Sequence, residues 1–274
     1  MTWLQAVVLG IVQGLTEYLP ISSSAHLVLV PWLLGWRIDE HIAFPFDVLV
    51  QWGTLIPVLA HFRRELLEIL RGWWEGARNG SPFGTPGGRL GGWVIVATLP
   101  AVVAGLLFKK PVEAVFLQPT LTAALLSGTA VLLWWGERFG RRERDLEGLT
   151  LGDALAVGLA QALALLPGIS RSGATIAAGL GRGLQRSEAA RFSFLLSVPA
   201  LLGAGLVALK DLFEIGLPPQ ALGPILTGAL AAALSGYLAI WGLMRLVHRR
   251  SLMPFALYCL LVSLSMLLLA AFRS

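Results

Sequence analysis

The sequence predicts an all-α integral membrane protein with an inverted-topology repeat, each half a re-entrant helical hairpin followed by three transmembrane helices. Three observations carry this. The chain is 56% hydrophobic and 14% charged, with mean hydropathy +0.73, whereas a soluble domain carries roughly 25% charged residues. Runs such as 117–135 and 252–272 are long enough to cross ~30 Å of hydrocarbon. Finally, one broken apolar segment occurs twice. Laid over each other without a gap, residues 6–24 and 154–172 share seven identities, among them Gly10/Gly158, Gln13/Gln161, Ser22/Ser170 and Ser24/Ser172. Each copy is an apolar run halted at Pro20 or Pro167, followed by hydroxyls and a resumed apolar run. Matching interruptions in two halves mark a repeat with its site at the breaks.

Each element follows in order. Full spans are expected at 43–62, 92–108, 119–136, 192–209, 219–244 and 252–272. The segments between them sort by charge. Loop 63–91 carries Arg63, Arg64, Arg71, Arg78 and Arg89, loop 137–147 carries Arg138, Arg141, Arg142 and Arg144, and 245–251 carries Arg245, Arg249 and Arg250. The other loops are poorer, with Lys109 and Lys110 in one and Lys210 alone in another. The positive-inside rule places the first group in the cytoplasm. Residues 151–184 then start and finish on the cytoplasmic side and form a hairpin with 167–172 at its tip. By the same counting 1–36 form a hairpin from the outside, with 20–24 at its tip. The chain is one membrane domain, 1–274, with a first repeat 1–136 and a second 151–272. The tips meet inside the membrane, where non-helical backbone is tolerated only around a cavity.

Composition also excludes classes. The longest polar stretch, 63–89, is too short for a soluble core. The net charge of +5 is spent on loops that flank spans, so the basic residues meet lipid headgroups and no nucleic acid is implied. Cys259 is the one cysteine, which leaves no disulfide framework, and His26, His41, His61 and His248 lack metal-site spacing. The first 18 residues lack a basic start and a cleavage signal and are expected to be part of the fold.

The tips carry the chemistry. Ser22, Ser23 and Ser24 follow one break and Ser170 and Ser172 the other, at helix N-termini whose first-turn N–H groups are free. Two such termini face to face bind an anion. Arg171 adds a planar fork that fits phosphate oxygens, and Gly168 and Gly173 let the backbone approach. The expected ligand is a phosphate or diphosphate. Glu17 lies one turn before Pro20, with Gln13 four residues earlier on the same face. A carboxylate beside phosphate calls for a bridging divalent cation, and an amide with one carboxylate suits Mg2+ or Ca2+. Asp47 and Gln51 form another i, i+4 pair, with Asp47 a further metal ligand or a solvated helix end. His26 shares a helix face with Ser22 and Ser23, the arrangement of a nucleophile and its base or of a positioned hydroxyl and a general acid. Plain alternatives stand beside these readings: capping and packing for the serines, and an ion pair with Arg171 alone for Glu17.

With these residues assembled, the chain resembles the bacitracin-resistance family of bacterial undecaprenyl-diphosphate phosphatases, from about residue 5 to 272. Gln13-Gly-Leu-Thr-Glu17 matches its (E/Q)-x-x-x-E pattern, and Leu19 to His26 match its Leu-Pro-(Ile/Val)-Ser-Ser-(Ser/Thr)-x-His pattern. Pro167 to Thr175 match Pro-Gly-x-Ser-Arg-Ser-Gly-x-Thr, and 46–51 resemble a further segment that often has Glu at the Asp47 position. The resemblance implies removal of the terminal phosphate of undecaprenyl diphosphate, which recycles the lipid carrier of cell-wall synthesis. It implies the bacterial cytoplasmic membrane, a site open to the outer face and a divalent cation; the sequence itself does not give the oligomeric state, and a homodimer is one candidate assembly. It gives roles to Glu17, Ser23, His26, Ser170, Arg171 and Thr175. Many members have Glu where this chain has Gln13, which removes one carboxylate from the site.

The rival function is a transporter or flippase of a phosphorylated lipid or solute, because broken helices in inverted repeats are a transporter architecture. Asymmetry between the tips favours chemistry: Glu17, Ser23 and His26 sit on one and Arg171 on the other. A purely structural scaffold leaves Glu17 and Arg171 without a purpose.

Overall fold

The computed structural model describes residues 1–81, 83–215 and 219–273. Twelve helices make up the described chain: α1 Trp3–Tyr18, α2 Ser23–Leu34, α3 Glu40–His61, α4 Arg63–Arg78, α5 Pro86–Leu107, α6 Lys109–Phe116, α7 Pro119–Phe139, α8 Leu151–Leu163, α9 Arg171–Gly181, α10 Arg186–Ile215, α11 Pro219–Val247 and α12 Met253–Arg273. Every expected span is a helix. Five segments are long and apolar enough to cross a membrane: His41–His61, Pro86–Leu107, Arg186–Ala208, Gln220–Val247 and Met253–Arg273. The sixth, α7, joins them when taken with α6 across a bend of 105°.

Two polar segments read as loops are structured. Residues 63–78 form α4, whose apolar face packs on α5 through Ile69 and Gly72, and 109–116 form α6. A charged surface does not prevent a helix when one stripe can be buried. Of the loop expected around 210–218, Lys210 falls within α10, and residues 216–218 lie outside the described residues.

The two broken segments begin alike. Thr2 caps α1 in a reciprocal capping box with Gln5, and Thr150 caps α8 in the same box with Asp153. Both threonines lie 148 residues apart, like the other repeat pairs. Gly10 and Gly158 then allow close packing: a Cβ on Gly10 would collide with the Gly228 carbonyl of α11, and one on Gly158 with the Ala97 carbonyl of α5. So α1 lies along α11, and α8 lies along α5. Helix α1 stops at Tyr18, two residues before Pro20, but α8 stops at Leu163, four before Pro167, and turns fill the gap.

The hairpin mouths are fixed by polar contacts. Asp153 in the first turn of α8 is fully buried and accepts from Arg144 at 2.7 Å and from Arg182, the residue that ends α9, also at 2.7 Å. Burial pushes the Asp153 carboxyl up, but the hydrogen bonds from Arg144 and Arg182 win and hold it well below the usual range. Nearby, Glu137 at the end of α7 accepts from Arg186 and from the Leu252 N–H that precedes α12. The other hairpin closes at the far end of α12, where Arg273 donates to the Trp32 carbonyl at the end of α2. Between the mouths a core that includes Phe62, Leu133, Phe192, Phe194 and Ile240 holds the spans together.

Candidate active site

The tips meet in the interior. Ser172 Oγ donates to the Leu19 carbonyl at 3.1 Å, and the Gly168 N–H donates to Ser24 Oγ at 3.4 Å. Each tip caps its second helix with the expected serine: Ser22 Oγ accepts from the Ala25 N–H at 3.3 Å and Ser170 Oγ from the Gly173 N–H at 3.0 Å. The first-turn N–H groups of Ser23, Ser24, Arg171 and Ser172 have no intrahelical acceptor. Thr129 on α7 pins the second tip, since its hydroxyl donates to the Gly168 carbonyl and accepts from the Ser170 N–H.

Glu17 is the hub. Its Oε1 accepts from Arg171 at 2.8 Å, across 154 residues of chain. Its Oε2 accepts from Ser23 Oγ at 2.6 Å and from Gln13 Nε2 at 3.0 Å. The carboxylate is 8% exposed and the Arg171 side chain 15%, so the pair is largely desolvated yet reachable. Arg171 is aimed from behind: its second terminal nitrogen donates to the Ser193 carbonyl, and Thr175 bonds both the Arg171 carbonyl and the Ser193 hydroxyl.

The geometry pairs several of the expected residues differently. Ser23 faces Glu17, whereas the sequence set His26 as its base. The His26 ring turns away. Nδ1 lies 2.8 Å from the Ser22 carbonyl and must carry the proton, so Nε2 accepts from the Tyr258 hydroxyl at 2.9 Å. Of the expected phosphate-binding group, Ser22, Ser170, Ser172 and Thr175 are buried and committed to protein partners, and the Gly173 N–H is spent on the cap. Ser23 and Ser24 remain partly exposed. Tyr258, Ser193 and Thr129 support the site without a sequence signal. Each is an ordinary residue of an apolar span, and only the fold brings it near a tip.

Gln13 turns its amide Nε2 towards Glu17 and its oxygen away. Gln13 is fully buried beside Glu17, and among the described residues its Oε1 has no hydrogen-bond partner, so one neutral oxygen donor is left unspent. Asp47 is half-buried on α3 and makes no hydrogen bond with either residue. Among the described residues no three His, Cys, Asp or Glu side chains cluster, so any cation held here takes its remaining ligands from substrate and water.

Comparison with known proteins identifies the family of the chain. The sequence model of the family described as bacitracin resistance protein BacA matches residues 6–265. A protein of Thermomicrobium roseum named undecaprenyl-diphosphatase is 45% identical, with 98% of each chain covered. Relatives of the same name from Geobacter sulfurreducens and Chromohalobacter salexigens are 47% and 45% identical, over 94% and 99% of this chain and 94% and 100% of theirs. Likeness of this extent, over nearly the whole length, places the chain in the BacA bacitracin-resistance family.

Proposed function

We propose that Glu17, Ser23 and Arg171 carry out the removal of the terminal phosphate from undecaprenyl diphosphate. The chain acts as an undecaprenyl-diphosphate phosphatase, releasing inorganic phosphate and undecaprenyl phosphate and recycling the lipid carrier for cell-wall synthesis. The observation that carries the residue roles is the shared carboxylate: one oxygen of Glu17 faces the Ser23 hydroxyl and the other faces Arg171. Glu17 takes the Ser23 proton as Oγ attacks the terminal phosphorus, and the bridging oxygen leaves with undecaprenyl phosphate. Protonated Glu17 releases Arg171, whose fork then follows the charge on the transferring phosphoryl group. Glu17 passes its proton to the departing undecaprenyl phosphate, returns as base to a water that attacks the phosphoserine, and gives the new proton to Ser23 Oγ as inorganic phosphate leaves. The free N–H groups of both tips hold the diphosphate oxygens. A divalent cation, Mg2+ or Ca2+, held by Gln13 Oε1 and Glu17 would neutralise diphosphate charge.

The reading includes an architecture. The exchange of partners, α1 on α11 and α8 on α5, and the mouths at opposite ends of α12 support two inverted repeats. The arginine-rich end is the cytoplasmic one, and the site opens outward from the cytoplasmic membrane. Phosphate release from undecaprenyl diphosphate by the purified protein tests the activity, and rapid quench tests the phosphoserine. Absence of a phosphoenzyme at Ser23 in single turnovers would replace Ser23 as nucleophile with a water it orients. Titration with Mg2+ should show weaker binding to Gln13→Ala; equal binding removes Gln13 from the cation site. Cysteine at Val112 should label from outside and cysteine at Arg78 only after permeabilisation; the reverse pattern overturns the orientation.

A further inference from the structure

One residue grips the Ser22 carbonyl twice. The carbonyl accepts from the His26 N–H at 3.3 Å and from His26 Nδ1 at 2.8 Å. The ring is held in turn from its other edge: Nε2 accepts from the Tyr258 hydroxyl at 2.9 Å, and the two rings lie 8° from parallel. Tyr258 stands on α12, and the next residue, Cys259, has its thiol 3.7 Å from the Pro20 carbonyl. Helix α12 is itself fixed, because it packs chiefly on α7, where Ser263 donates to the Ala123 carbonyl at 2.7 Å. A line of contacts thus runs from α7 through α12 to His26 and ends on one carbonyl.

That carbonyl belongs to a strained residue. Ser22 sits at φ 72° and ψ 98°, a backbone conformation that favours glycine. Such a conformation persists only where its surroundings over-determine it. The second tip has no such need. Ser170 sits at φ −66°, and Ala174 stands at the position that His26 holds in the first repeat. The ring is present at the strained tip and absent from the relaxed one, which ties it to the backbone of its own tip.

We propose that Tyr258 is a positioning residue that acts through His26 to aim the Ser23 N–H at the substrate phosphate. Its role in turnover rests on the phosphatase reading. A peptide unit is planar, so its N–H points opposite to its carbonyl. Holding the Ser22 oxygen on the His26 side therefore turns the Ser23 N–H to the other side. That N–H is the first of α2 and meets no acceptor among the described residues. It belongs to the residue whose hydroxyl meets Glu17, so one peptide plane sets both the donor and Ser23 Oγ. His26 is a neutral bolt: Nδ1–H is committed to Ser22 and the Nε2 lone pair to Tyr258, and no proton moves through the ring.

Amide side chains separate a bolt from an acid or base. Asparagine places an N–H close to where Nδ1–H stands, glutamine places its own nearer Nε2, and neither titrates. His26→Asn should therefore lower kcat only about threefold, whereas His26→Gln leaves the Ser22 carbonyl without its ring donor and should lower kcat roughly 10²-fold, as for one lost donor to developing charge. KM should change little in either. Equal losses in the two, or a limb of the kcat–pH profile that vanishes in His26→Asn, would make His26 an acid–base group and overturn the proposal. Tyr258→Phe keeps the ring and loses the hydroxyl. It should lower kcat about fivefold, the rate equivalent of one neutral hydrogen bond, with an unshifted pH profile. In the His26→Asn background it should have no further effect, because Tyr258 acts through the ring. A full fivefold loss there also overturns the assignment. Thermal unfolding in one detergent shows which variants fold, and should His26→Gln fail, Tyr258→Phe in the two backgrounds decides. Wild-type phosphate release is scored first, and its absence removes the phosphatase reading but not the geometry. NMR of histidine labelled at its ring nitrogens reads the geometry without turnover. His26 should carry its proton on Nδ1, and its Nε2 signal should move in Tyr258→Phe. A proton on Nε2, or an unmoved signal, refutes the role of Tyr258.

Discussion

Ser22 at the first tip sits at φ 72°, whereas Ser170, its counterpart at the second, sits at φ −66°. Both cap a helix, and both lie 3.2 Å from the hydroxyl two residues on, Ser24 or Ser172. The frames are alike, and the charged positions are not. Glu17 corresponds to Leu165, Ser23 to Arg171 and His26 to Ala174. The side chains that open the two second helices, Ser23 and Arg171, converge on the same carboxylate from opposite tips. The difference teaches how a doubled frame becomes asymmetric: two matched capped helix N-termini meet, and differences at two repeat positions, 17/165 and 23/171, bring a carboxylate, a hydroxyl and a guanidinium together between them.

The comparison breaks most severely at Arg171. Arg171→Ala should lower turnover of undecaprenyl diphosphate on the order of 10³-fold or more, because an arginine on developing phosphoryl charge is worth several kcal/mol. Arg171→Lys should not restore it, since a point charge cannot bond Glu17 and the Ser193 carbonyl through two nitrogens as the guanidinium does. Near-normal turnover in the lysine variant would remove Arg171 from the mechanism. Next come the residues on the other side of the carboxylate. Ser23→Ala, Glu17→Gln and the double variant should fall to similar rates, roughly 10²-fold or more below wild type, because groups that act as a unit lose activity non-additively. His26→Ala should add its own loss to that of Ser23→Ala, since His26 bonds Ser22 and Tyr258 and not Ser23. A Ser23→Ala, His26→Ala double variant no worse than either single one would restore the Ser23–His26 unit.

Much of this was legible in the sequence, and the limits have physical causes. The spans follow from hydropathy, and the two broken segments from the apolar runs halted at Pro20 and Pro167. Glu17 and Arg171 stand out because a charge within apolar sequence is costly. The partner of Ser23 was not legible. Helical spacing puts His26 on its face, but the φ of 72° at Ser22 bends the entry into α2, and Ser23 meets Glu17 across the break. Periodicity describes residues within one helix and says nothing across an interruption. Tyr258 was hidden for the opposite reason: it lies 232 residues from His26 in a span whose own pattern only says apolar. The helix α4 was missed because its charges hide a single buried stripe built on Ile69 and Gly72.

A smaller effect concerns the anchor of the second hairpin. Asp153 is buried against Arg144 and Arg182, and these hydrogen bonds hold its folded-state carboxyl below its unfolded value. A depressed acid contributes stability that is fully present above its unfolded pKa, near 4, and is lost as pH falls through the folded value. Detergent-solubilised protein should therefore lose thermal stability below about pH 4, and Asp153→Asn should flatten that acid limb. At neutral pH the asparagine variant should be destabilised by about 1–2 kcal/mol, since the partly exposed Arg144 and Arg182 left behind are solvated. An unchanged acid limb would show that the hairpin mouth is held by other contacts.

The finest test makes one substitution at both caps. Glycine at an N-cap costs only a few tenths of a kcal/mol relative to serine, and it adds roughly 0.4–1 kcal/mol of unfolded-chain entropy to be lost on folding. Both costs apply at Ser170, whose φ of −66° suits any residue, so Ser170→Gly should destabilise by about 1 kcal/mol. They also apply at Ser22, but there glycine relieves a backbone held at φ 72°, which costs a non-glycine residue on the order of 1–3 kcal/mol. Ser22→Gly should therefore be neutral or stabilising by about 1 kcal/mol, although the same cap hydroxyl is lost. Its activity should move the other way. The Ser22 carbonyl holds His26 Nδ1, and a tip free to relax orients that carbonyl less firmly, so turnover should fall several-fold as stability holds or rises. Thermal unfolding of the two variants in one detergent, with turnover measured beside it, decides the matter. Equal destabilisation by both glycines would mean that the strain at Ser22 is not a cost the first tip bears, and that the two tips differ only in their side chains.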